Sequence, residues 1–265
     1  MQKQNSTVVH KRFKNNHLIE IRDTPTQRSL YFDHHLQSAM VFEQPQELIL
    51  SYTRYMLLGL LINQQPKNIL IIGLGSGSFI RFFQHFCPHS HIDGIESSQH
   101  VIDIARGYFF LPETEKIHIT CADGNAFVSQ SHTGKKYDLI LVDAFDAEGM
   151  APTIYKKSFF ISARRLLSEE GSISFNLWSA DRKVFKDIKT TLARTFHSCL
   201  LLPVPNRGNI IAVAMSRKIP WDKINPAPKD LEIISNRLQL DFKQLVRVTK
   251  RHNGTLSMML KSLFR

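Results

Sequence analysis

The stretch NILIIGLGSGSFIRFFQHF, Asn68 to Phe86, decides the fold of this chain. ILII is an unbroken apolar run, which is typical of a strand buried on both faces of a sheet. A glycine-rich turn follows, and SFIRFFQHF then repeats apolar residues at helical spacing. A buried strand, a tight turn and a helix form the opening unit of an α/β domain with a parallel sheet.

The same alternation continues downstream. Further strands are predicted at HIDGIES, IHITCAD, YDLILVD and SISFNLW, and helices at QHVIDIARGYF, NAFVSQS, SFFISARRLLS and DRKVFKDIKTTLARTF. HSCLLLPVP and NIIAVAMSR are separated by only three residues, which are too few for a crossover helix, so an antiparallel hairpin at the sheet edge is predicted. The pattern resembles the doubly wound, Rossmann-type α/β fold of the class I methyltransferases, with a C-terminal antiparallel hairpin.

The flanking segments have other patterns. LIEIRD, RSLYFD and QSAMVF alternate in the manner of β-hairpins, and ELILSYTRYMLLGLLI predicts a helix. Residues 1–45 are therefore predicted to form a small N-terminal β domain, and 46–220 the Rossmann-like α/β domain, in which the strand ends considered below place the ligand and the chemistry. Residues 221–265 are predicted to form a basic helical extension.

Composition limits the classes of function. The 265 residues are 43% hydrophobic, and their longest apolar runs fall short of the roughly 20 residues of a membrane span, so a soluble cytoplasmic protein without a membrane partner is predicted. The three cysteines form no CxxC pair, which indicates neither a metal site nor a disulfide framework. The net charge of +11 is spread along the chain without a nucleic-acid-binding motif, so nucleic acid stays an open but unfavoured partner.

Ligands of doubly wound sheets bind outside the carboxyl ends of the strands. The first such end carries Gly73, Gly75 and Gly77, which permit a tight turn and a close approach of backbone to ligand. The spacing GxGxG differs from the GxGxxG of dinucleotide binders, and a purely structural turn remains an alternative.

The next two strand ends carry acids. Glu96 can accept hydrogen bonds from both hydroxyls of a ribose, although a solvated acid is the alternative. Asp123, followed by Gly124, can accept from an adenine amino group, or else it caps the helix NAFVSQS. In this order the three strand ends predict an adenosine-type ligand without a pyrophosphate.

The fourth strand end, in YDLILVDAFDAEGMAP, places Asp143 and Asp146 where the 5′ substituent of the nucleoside would lie. Two anions at this place can hold a cation or accept its proton, whereas the lack of a third ligand argues against a metal. The alternative for Asp146 is a cap of the following turn.

Several blocks in order resemble the polyamine aminopropyltransferases, the family represented by spermidine synthase. SLYFDHHLQS resembles the family's hairpin ending in Leu-Asp-Gly-x-x-Gln, and IIGLGSGS, GIES and CADGNAF resemble its glycine loop, acidic strand end and Asp-Gly adenine loop. VDAFDAEGMAPTIYKKSFF resembles its Asp-x-x-Asp-Pro-x-Gly-Pro-Ala segment and the aromatic helix behind it. The resemblance runs from about residue 30 to residue 206.

The resemblance implies that decarboxylated S-adenosylmethionine, a co-substrate rather than a prosthetic group, donates its aminopropyl group to a polyamine, and that 5′-methylthioadenosine is released. It also implies a homodimer. Asp143 would orient and deprotonate the attacking nitrogen. Other roles are implied for the nucleoside site (Gln37, Glu96, Asp123, Gly124 and the loop Gly73, Gly75, Ser76, Gly77) and for the amine site (Asp146, Tyr52).

Four positions depart from the family pattern. Ser76 stands where the family has an aspartate that holds the donor's ammonium, Arg54 stands in place of a glutamate, and Val204-Pro205 replaces a Tyr-Pro pair. The segment after Asp146 also lacks the family's proline. Trp178 is predicted to stay in the core. The acceptor amine therefore stays open, as do two alternatives: a methyltransferase that uses S-adenosylmethionine itself, and a non-catalytic nucleoside- or nucleic-acid-binding protein.

Overall fold

The computed structural model describes residues 6–14, 17–130, 134–146, 149–151 and 153–253, and its central element is a seven-stranded sheet. The strands are β1 Thr7–Lys14, β2 His17–Asp23, β3 Gln27–Phe32, β4 His35–Val41, β5 Asn68–Ile72, β6 His91–Glu96, β7 Ile117–Cys121, β8 Tyr137–Val142, β9 Phe145–Asp146, β10 Gly149–Met150, β11 Leu167–Trp178, β12 Ser198–Pro203 and β13 Asn209–Met215. The helices are α1 Ser51–Met56, α2 Ser78–Phe86, α3 Gln99–Tyr108, α4 Gly124–Gln130, α5 Lys157–Leu166, α6 Arg182–Thr195, α7 Trp221–Ile224, α8 Pro228–Leu238 and α9 Phe242–Asn253.

The strand order of the central sheet is β12-β13-β11-β8-β5-β6-β7. The pairs among β11, β8, β5, β6 and β7 are parallel, whereas β13 is antiparallel to both of its neighbours, β11 and β12. The predicted α/β fold and its C-terminal hairpin are thus confirmed. The hairpin turns back so that the later strand, β13, lies inside the sheet and the earlier strand, β12, lies at the edge.

The apolar run in β5 is unbroken because, as predicted, the strand is buried on both faces of the sheet. Ile69 and Ile71 belong to the core on one face of the sheet, and Leu70 and Ile72 belong to the core on the other face. Each of these side chains is at most 2% exposed, and burying one contributes about 1.5–3 kcal/mol. The remainder of both cores comes from the other strands of the sheet and from the helices that cover its two faces.

The N-terminal segment forms a separate four-stranded antiparallel sheet in the order β1-β2-β3-β4. Its apolar face packs against α3 and the residue that follows it, because Ile21, Leu30 and Met40 share a core cluster with Ile104 and Phe109. This packing places β4 close to the carboxyl edge of the central sheet. The division of the chain into three domains stays a prediction.

Two sequence predictions need correction. The helix predicted for ELILSYTRYMLLGLLI begins only at Ser51, because the guanidinium of Arg54 occupies the carbonyl of Leu48 at 2.6 Å. It then passes into a 3-10 helix at Leu57–Leu61. Trp178 is not in the core: it is 42% exposed at the end of β11, where its ring lies against Gly208.

Within the described ranges, no helix combines the length and the apolarity that crossing a bilayer requires.

Candidate active site

The carboxyl ends of the parallel strands lie along one edge of the central sheet. There β5 leads into the glycine loop, β6 ends at Glu96, β7 is followed by Asp123, and β8 is followed by Asp143. The fold therefore brings the predicted residues of the four strand ends to one edge. Such an edge is where doubly wound sheets bind their ligands.

The glycine loop touches the residue that follows β8. A Cβ atom at Gly73 would lie 2.1 Å from the backbone oxygen of Asp143, and Gly73 has a φ of +92°, so only glycine fits there. Gly75, with a φ of +53°, has the opposite surroundings: apart from its chain neighbours, no atom of the described residues lies within 4 Å of a Cβ placed on it. One side of the loop is therefore packed on Asp143, and the other leaves room for a ligand.

Glu96 is fixed against the glycine loop. Its Oε2 accepts a hydrogen bond from the backbone N–H of Leu74 at 3.0 Å, and its Oε1 accepts from the N–H of Ser98 at 2.9 Å. The Ser97 hydroxyl also donates to Oε1, at 3.3 Å, so of the roughly four acceptor sites of a carboxylate about one remains, on Oε2, for a donor such as a ribose hydroxyl. The carboxylate is thus oriented by the backbone rather than solvated, and its contact with a nucleoside stays a prediction.

Asp123 caps α4. Its Oδ1 accepts a hydrogen bond from the N–H of Ala126 at 2.8 Å, which is the capping geometry that the sequence left open as an alternative. Gly124 is required by packing, because a Cβ on it would lie 2.6 Å from a methyl group of Ile72. The predicted adenine contacts of both residues stay predictions.

Asp143 is the centre of the site. Its Oδ2 accepts a hydrogen bond from the Tyr52 hydroxyl at 2.9 Å, and its Oδ1 accepts from Nδ2 of Asn176 at 2.8 Å. Burial raises the pKa of Asp143, although the two hydrogen bonds oppose this shift. Burial and the charge of Asp143 raise the pKa of Tyr52 well above its usual value, so the phenol stays neutral and donates. A half-buried carboxylate with a raised pKa is a better proton acceptor than a solvated one.

Three residues around Asp143 were missed by the sequence analysis. Asn209 donates from Nδ2 to Oδ1 of Asn176 at 2.9 Å, and the Tyr155 hydroxyl donates to the backbone oxygen of Asn176 at 2.8 Å. All three are at least nine-tenths buried. The one local signal was an asparagine inside the apolar run SISFNLW, because a buried amide requires partners.

Ser76 lies in a buried polar cluster between β4 and the glycine loop. Its hydroxyl is 2.5 Å from the hydroxyl of Ser38 and 3.3 Å from that of Ser78. The guanidinium of Arg81, which is 4% exposed, reaches the backbone oxygen of Ser76 and the hydroxyls of Ser76 and Ser78. The Ser76 side chain therefore faces this cluster in the present structure, and its predicted contact with the donor stays a prediction.

Two further predicted residues occupy less regular backbone. Gln37 lies at the bulge of β4, since Leu30 pairs with Ser38 and Tyr31 with Leu36. Bulges commonly redirect a side chain next to a binding site. The backbone of Asp146 forms the short β9–β10 hairpin with Gly149, but its side chain lies outside the described part of the chain. The predicted roles of Gln37 and Asp146 stay predictions.

A parallel sheet closed by an antiparallel hairpin, with a glycine loop and a row of acids at its carboxyl edge, defines a protein of the class I methyltransferase-like fold. Solved structures agree with this class. The chain superposes with a TM-score of 0.72 on a probable spermidine synthase from Corynebacterium glutamicum, at 19% identity over 88% of this chain and 86% of that one. It superposes with a TM-score of 0.63 on human methyltransferase-like protein 13, at 20% identity over 75% and 93% of the two chains.

The family follows from sequence comparison. The family model described as "Spermine/spermidine synthase domain" matches residues 50–218. A protein of Neisseria meningitidis serogroup B named polyamine aminopropyltransferase is 34% identical over 82% of this chain and 83% of its own. A protein of the same name from Chromobacterium violaceum is 33% identical over 89% and 90% of the two chains. The chain belongs to the spermine/spermidine synthase family.

Proposed function

We propose that the protein is an aminopropyltransferase, which moves the aminopropyl group of decarboxylated S-adenosylmethionine to a polyamine and releases 5′-methylthioadenosine. Membership of the family and the names of its relatives support this reaction. The observation that carries the proposal is the Asp143 carboxylate, held by Tyr52 and Asn176 beside the glycine loop. A positioned proton acceptor next to a nucleoside site is what such a transfer requires.

The chemistry explains the need for this carboxylate. An aliphatic amine has a pKa of roughly 10, so at neutral pH it is mostly protonated and carries no free electron pair. Asp143 takes the proton, the freed nitrogen attacks the carbon next to the sulfonium, and the C–S bond breaks with its electron pair going to sulfur. The raised pKa of Asp143 reduces the energetic cost of the proton transfer. Since the sulfonium is a good leaving group, correct placement of the nitrogen supplies much of the remaining rate.

The proposed site divides between donor and acceptor. The glycine loop, Glu96, Asp123 and the bulged Gln37 would hold the nucleoside, while Tyr52 and Asp146 would face the amine. In this arrangement Asp143 lies between the two, because its backbone contacts the glycine loop and its carboxylate contacts Tyr52.

The proposal extends to assembly and location. Phe13 and Val8, on the outermost strand β1, are 67% and 46% exposed, and exposed apolar side chains on an edge strand favour association. We therefore propose a homodimer, and membership of the family supports a location in the cytoplasm. Sedimentation equilibrium of the purified protein would test the dimer, and a monomer at micromolar concentration would contradict it.

The first experiment compares the two donors. The purified protein is titrated by calorimetry with decarboxylated S-adenosylmethionine and, separately, with S-adenosylmethionine. Mixtures that also contain putrescine, cadaverine or spermidine are then analysed by mass spectrometry. The proposed function predicts preferential binding of the decarboxylated donor and a product heavier by one aminopropyl group. If no amine gains this mass, the proposed function is wrong.

Arg81 favours a second candidate, a methyltransferase that uses intact S-adenosylmethionine. Its guanidinium binds carbonyl and hydroxyl oxygens, and none of its described contacts is with a carboxylate. Burial lowers the pKa of Arg81 to about 9, which reflects the cost of an unpaired buried cation. A buried cation in α2 that contacts the glycine loop suits a donor that keeps its carboxylate. In the same experiment this candidate predicts S-adenosylhomocysteine and a methylated acceptor instead of 5′-methylthioadenosine.

Glu96→Gln is expected to raise the Kd for 5′-methylthioadenosine about tenfold. The change leaves one acceptor oxygen in place of two, so a charged hydrogen bond to the ribose, typically 1.5–3 kcal/mol, is weakened. Calorimetry provides the measurement. The matched control is Glu170→Gln, because Glu170 lies near the amino end of β11, away from the carboxyl edge, and pairs with Arg217. Equal affinities of Glu96→Gln and the parent protein would show that the ribose assignment is wrong.

A further inference from the structure

A chain of hydrogen bonds runs from the last strand of the sheet to Asp143. Asn209, the first residue of β13, donates to Oδ1 of Asn176 in β11 at 2.9 Å, and Asn176 donates from Nδ2 to Oδ1 of Asp143 at 2.8 Å. The two asparagines are 8% and 2% exposed, so little water competes for these groups. The chain therefore connects the antiparallel hairpin, which carries no predicted catalytic residue, with the centre of the site.

The order of donors in this chain matters because an asparagine side chain has two different ends. Its oxygen accepts and its NH2 group donates, and the two ends have nearly the same shape. An ionised carboxylate can only accept, so Asn176 stabilises the charge of Asp143 only when its NH2 group faces the carboxylate. With the amide turned by 180°, two oxygens would face each other, and this pair is stable only if Asp143 is protonated.

Asn209 selects between these two orientations. Its own NH2 group needs an acceptor, and the oxygen of Asn176 supplies one in the observed orientation. The backbone near Asn176 is held as well, because the Tyr155 hydroxyl binds its carbonyl at 2.8 Å. With the backbone fixed, the main remaining freedom of Asn176 is the rotation of its side-chain amide, which the hydrogen bond from Asn209 opposes.

The groups around Asp143 explain why the orientation of the Asn176 amide matters for its charge. Tyr52 from α1, Tyr155 from the segment before α5 and Asn176 from β11 face its carboxylate, and Asp146 follows in sequence. Both tyrosines have pKa values raised well above the usual range by burial and by Asp143, so they remain neutral. None of the described contacts brings a cation to Asp143. The ionised form thus depends on two neutral donors, Tyr52 and Asn176.

We propose that Asn209 is a positioning residue, which fixes the Asn176 amide so that Asp143 stays ionised and ready to accept the proton of the acceptor amine. The inference rests on the proposed transfer at this site and adds a residue that is in none of the blocks quoted for the resemblance to the family. It also gives a functional reason why β13, and not β12, is the neighbour of β11 in the sheet. Asn209 touches neither substrate nor reacting atoms in this role.

Asn209→Leu is expected to lower kcat about tenfold and to leave the KM for the donor unchanged. Leucine fills a similar volume but donates no hydrogen bond, so Asn176 becomes free to turn. Because the Asn176 bond lowers the pKa of Asp143, its loss raises that pKa, and the acidic limb of the pH profile of kcat moves to higher pH. Steady-state kinetics across pH provide the measurement.

The matched control is Asn253→Leu. Asn253 is also an asparagine that bridges two elements, since its side chain binds the backbone of Leu201 from α9, but it does not contact the site. It is expected to lower the free energy of unfolding without moving the pH profile. If Asn209→Leu behaves in the same way, Asn209 is merely structural and the proposal is wrong.

A double-variant cycle tests the connection through Asn176. Asn209→Leu introduced into an Asn176→Leu background is expected to cause no further loss of kcat, because the residue through which Asn209 acts is already absent. Independent, multiplying losses from the two changes would overturn the proposal.

A further measurement separates this inference from the proposed function. NMR titration of 13C-labelled aspartate carboxyl groups follows the pKa of Asp143 without turnover. A higher pKa in Asn209→Leu than in the parent supports the proposal even if the parent transfers no aminopropyl group, and in that case the proposed function alone is wrong. An unchanged pKa overturns the proposal even in an active enzyme.

Discussion

Asp143→Asn is expected to reduce turnover about a thousandfold while the Kd for 5′-methylthioadenosine changes by less than about twofold. The asparagine keeps the shape and can keep a bond to Tyr52, but it cannot take a proton from the acceptor ammonium. The proposed donor pocket keeps its glycine loop and Glu96. Single-turnover formation of 5′-methylthioadenosine and calorimetric binding of the same compound would separate the two effects.

Asp138→Asn is the matched control on the same strand. Asp138 lies at the amino end of β8, where it accepts hydrogen bonds from the backbone of Lys67 and Asn68 and from the Ser168 hydroxyl. Its change should cost stability but leave kcat near the parent value. Turnover in Asp143→Asn equal to that of this control would remove Asp143 from the mechanism.

Gly73→Ala is expected to lower the free energy of unfolding by about 3–5 kcal/mol or to prevent folding. The new methyl group would lie 2.1 Å from the backbone oxygen of Asp143, and the φ of +92° is itself strained for alanine. The clash is with backbone atoms, so no side-chain rotation relieves it. Urea denaturation followed by circular dichroism gives the loss.

Gly75→Ala provides the comparison, because Gly75 also has a positive φ but no described backbone atom crowds its Cβ position. With no described atom near the added methyl group beyond its chain neighbours, only the backbone strain of about 1–2 kcal/mol remains. A loss in Gly73→Ala no larger than in Gly75→Ala would mean that the loop moves away from Asp143 at little cost. The description of the loop as packed on Asp143 would then fail.

Local patterns were sufficient for most of the fold. The run SFIRFFQHF coincides with α2, Ser78–Phe86, although its buried positions, Phe79 to Phe83, are consecutive and therefore surround the helix instead of following one face. The four consecutive apolar residues of β5 predicted a strand buried on both faces, and the structure places them alternately in the two cores of the sheet. The start of α1 was predicted too early, since the bond between Arg54 and the Leu48 carbonyl is formed by a polar side chain and leaves no trace in the apolar spacing.

The site was less accessible to sequence reasoning. Glycines and acids at strand ends identified the edge, because position along a parallel sheet fixes where a strand end lies. The contact between Asn176 and Asn209 joins residues 33 positions apart, and it depends on the register of β11 with β13. The burial of Ser76 depends in the same way on how the N-terminal sheet packs on the central domain. Neither can be deduced from spacing within one segment.

The position of β13 between β11 and β12 has a consequence for how the chain folds while it is being synthesised. Domains begin to fold from their amino ends while the ribosome is still adding residues. A nascent chain that stops before residue 209 already contains Asp143 and Asn176, but it lacks the strand that lies between β11 and β12. The edge of β11 is then unpaired, and the orientation of the Asn176 amide is not yet set. With the roles proposed for Asp143 and Asn209, the proton acceptor would become functional only after the hairpin of β12 and β13 has left the ribosome and inserted into the sheet.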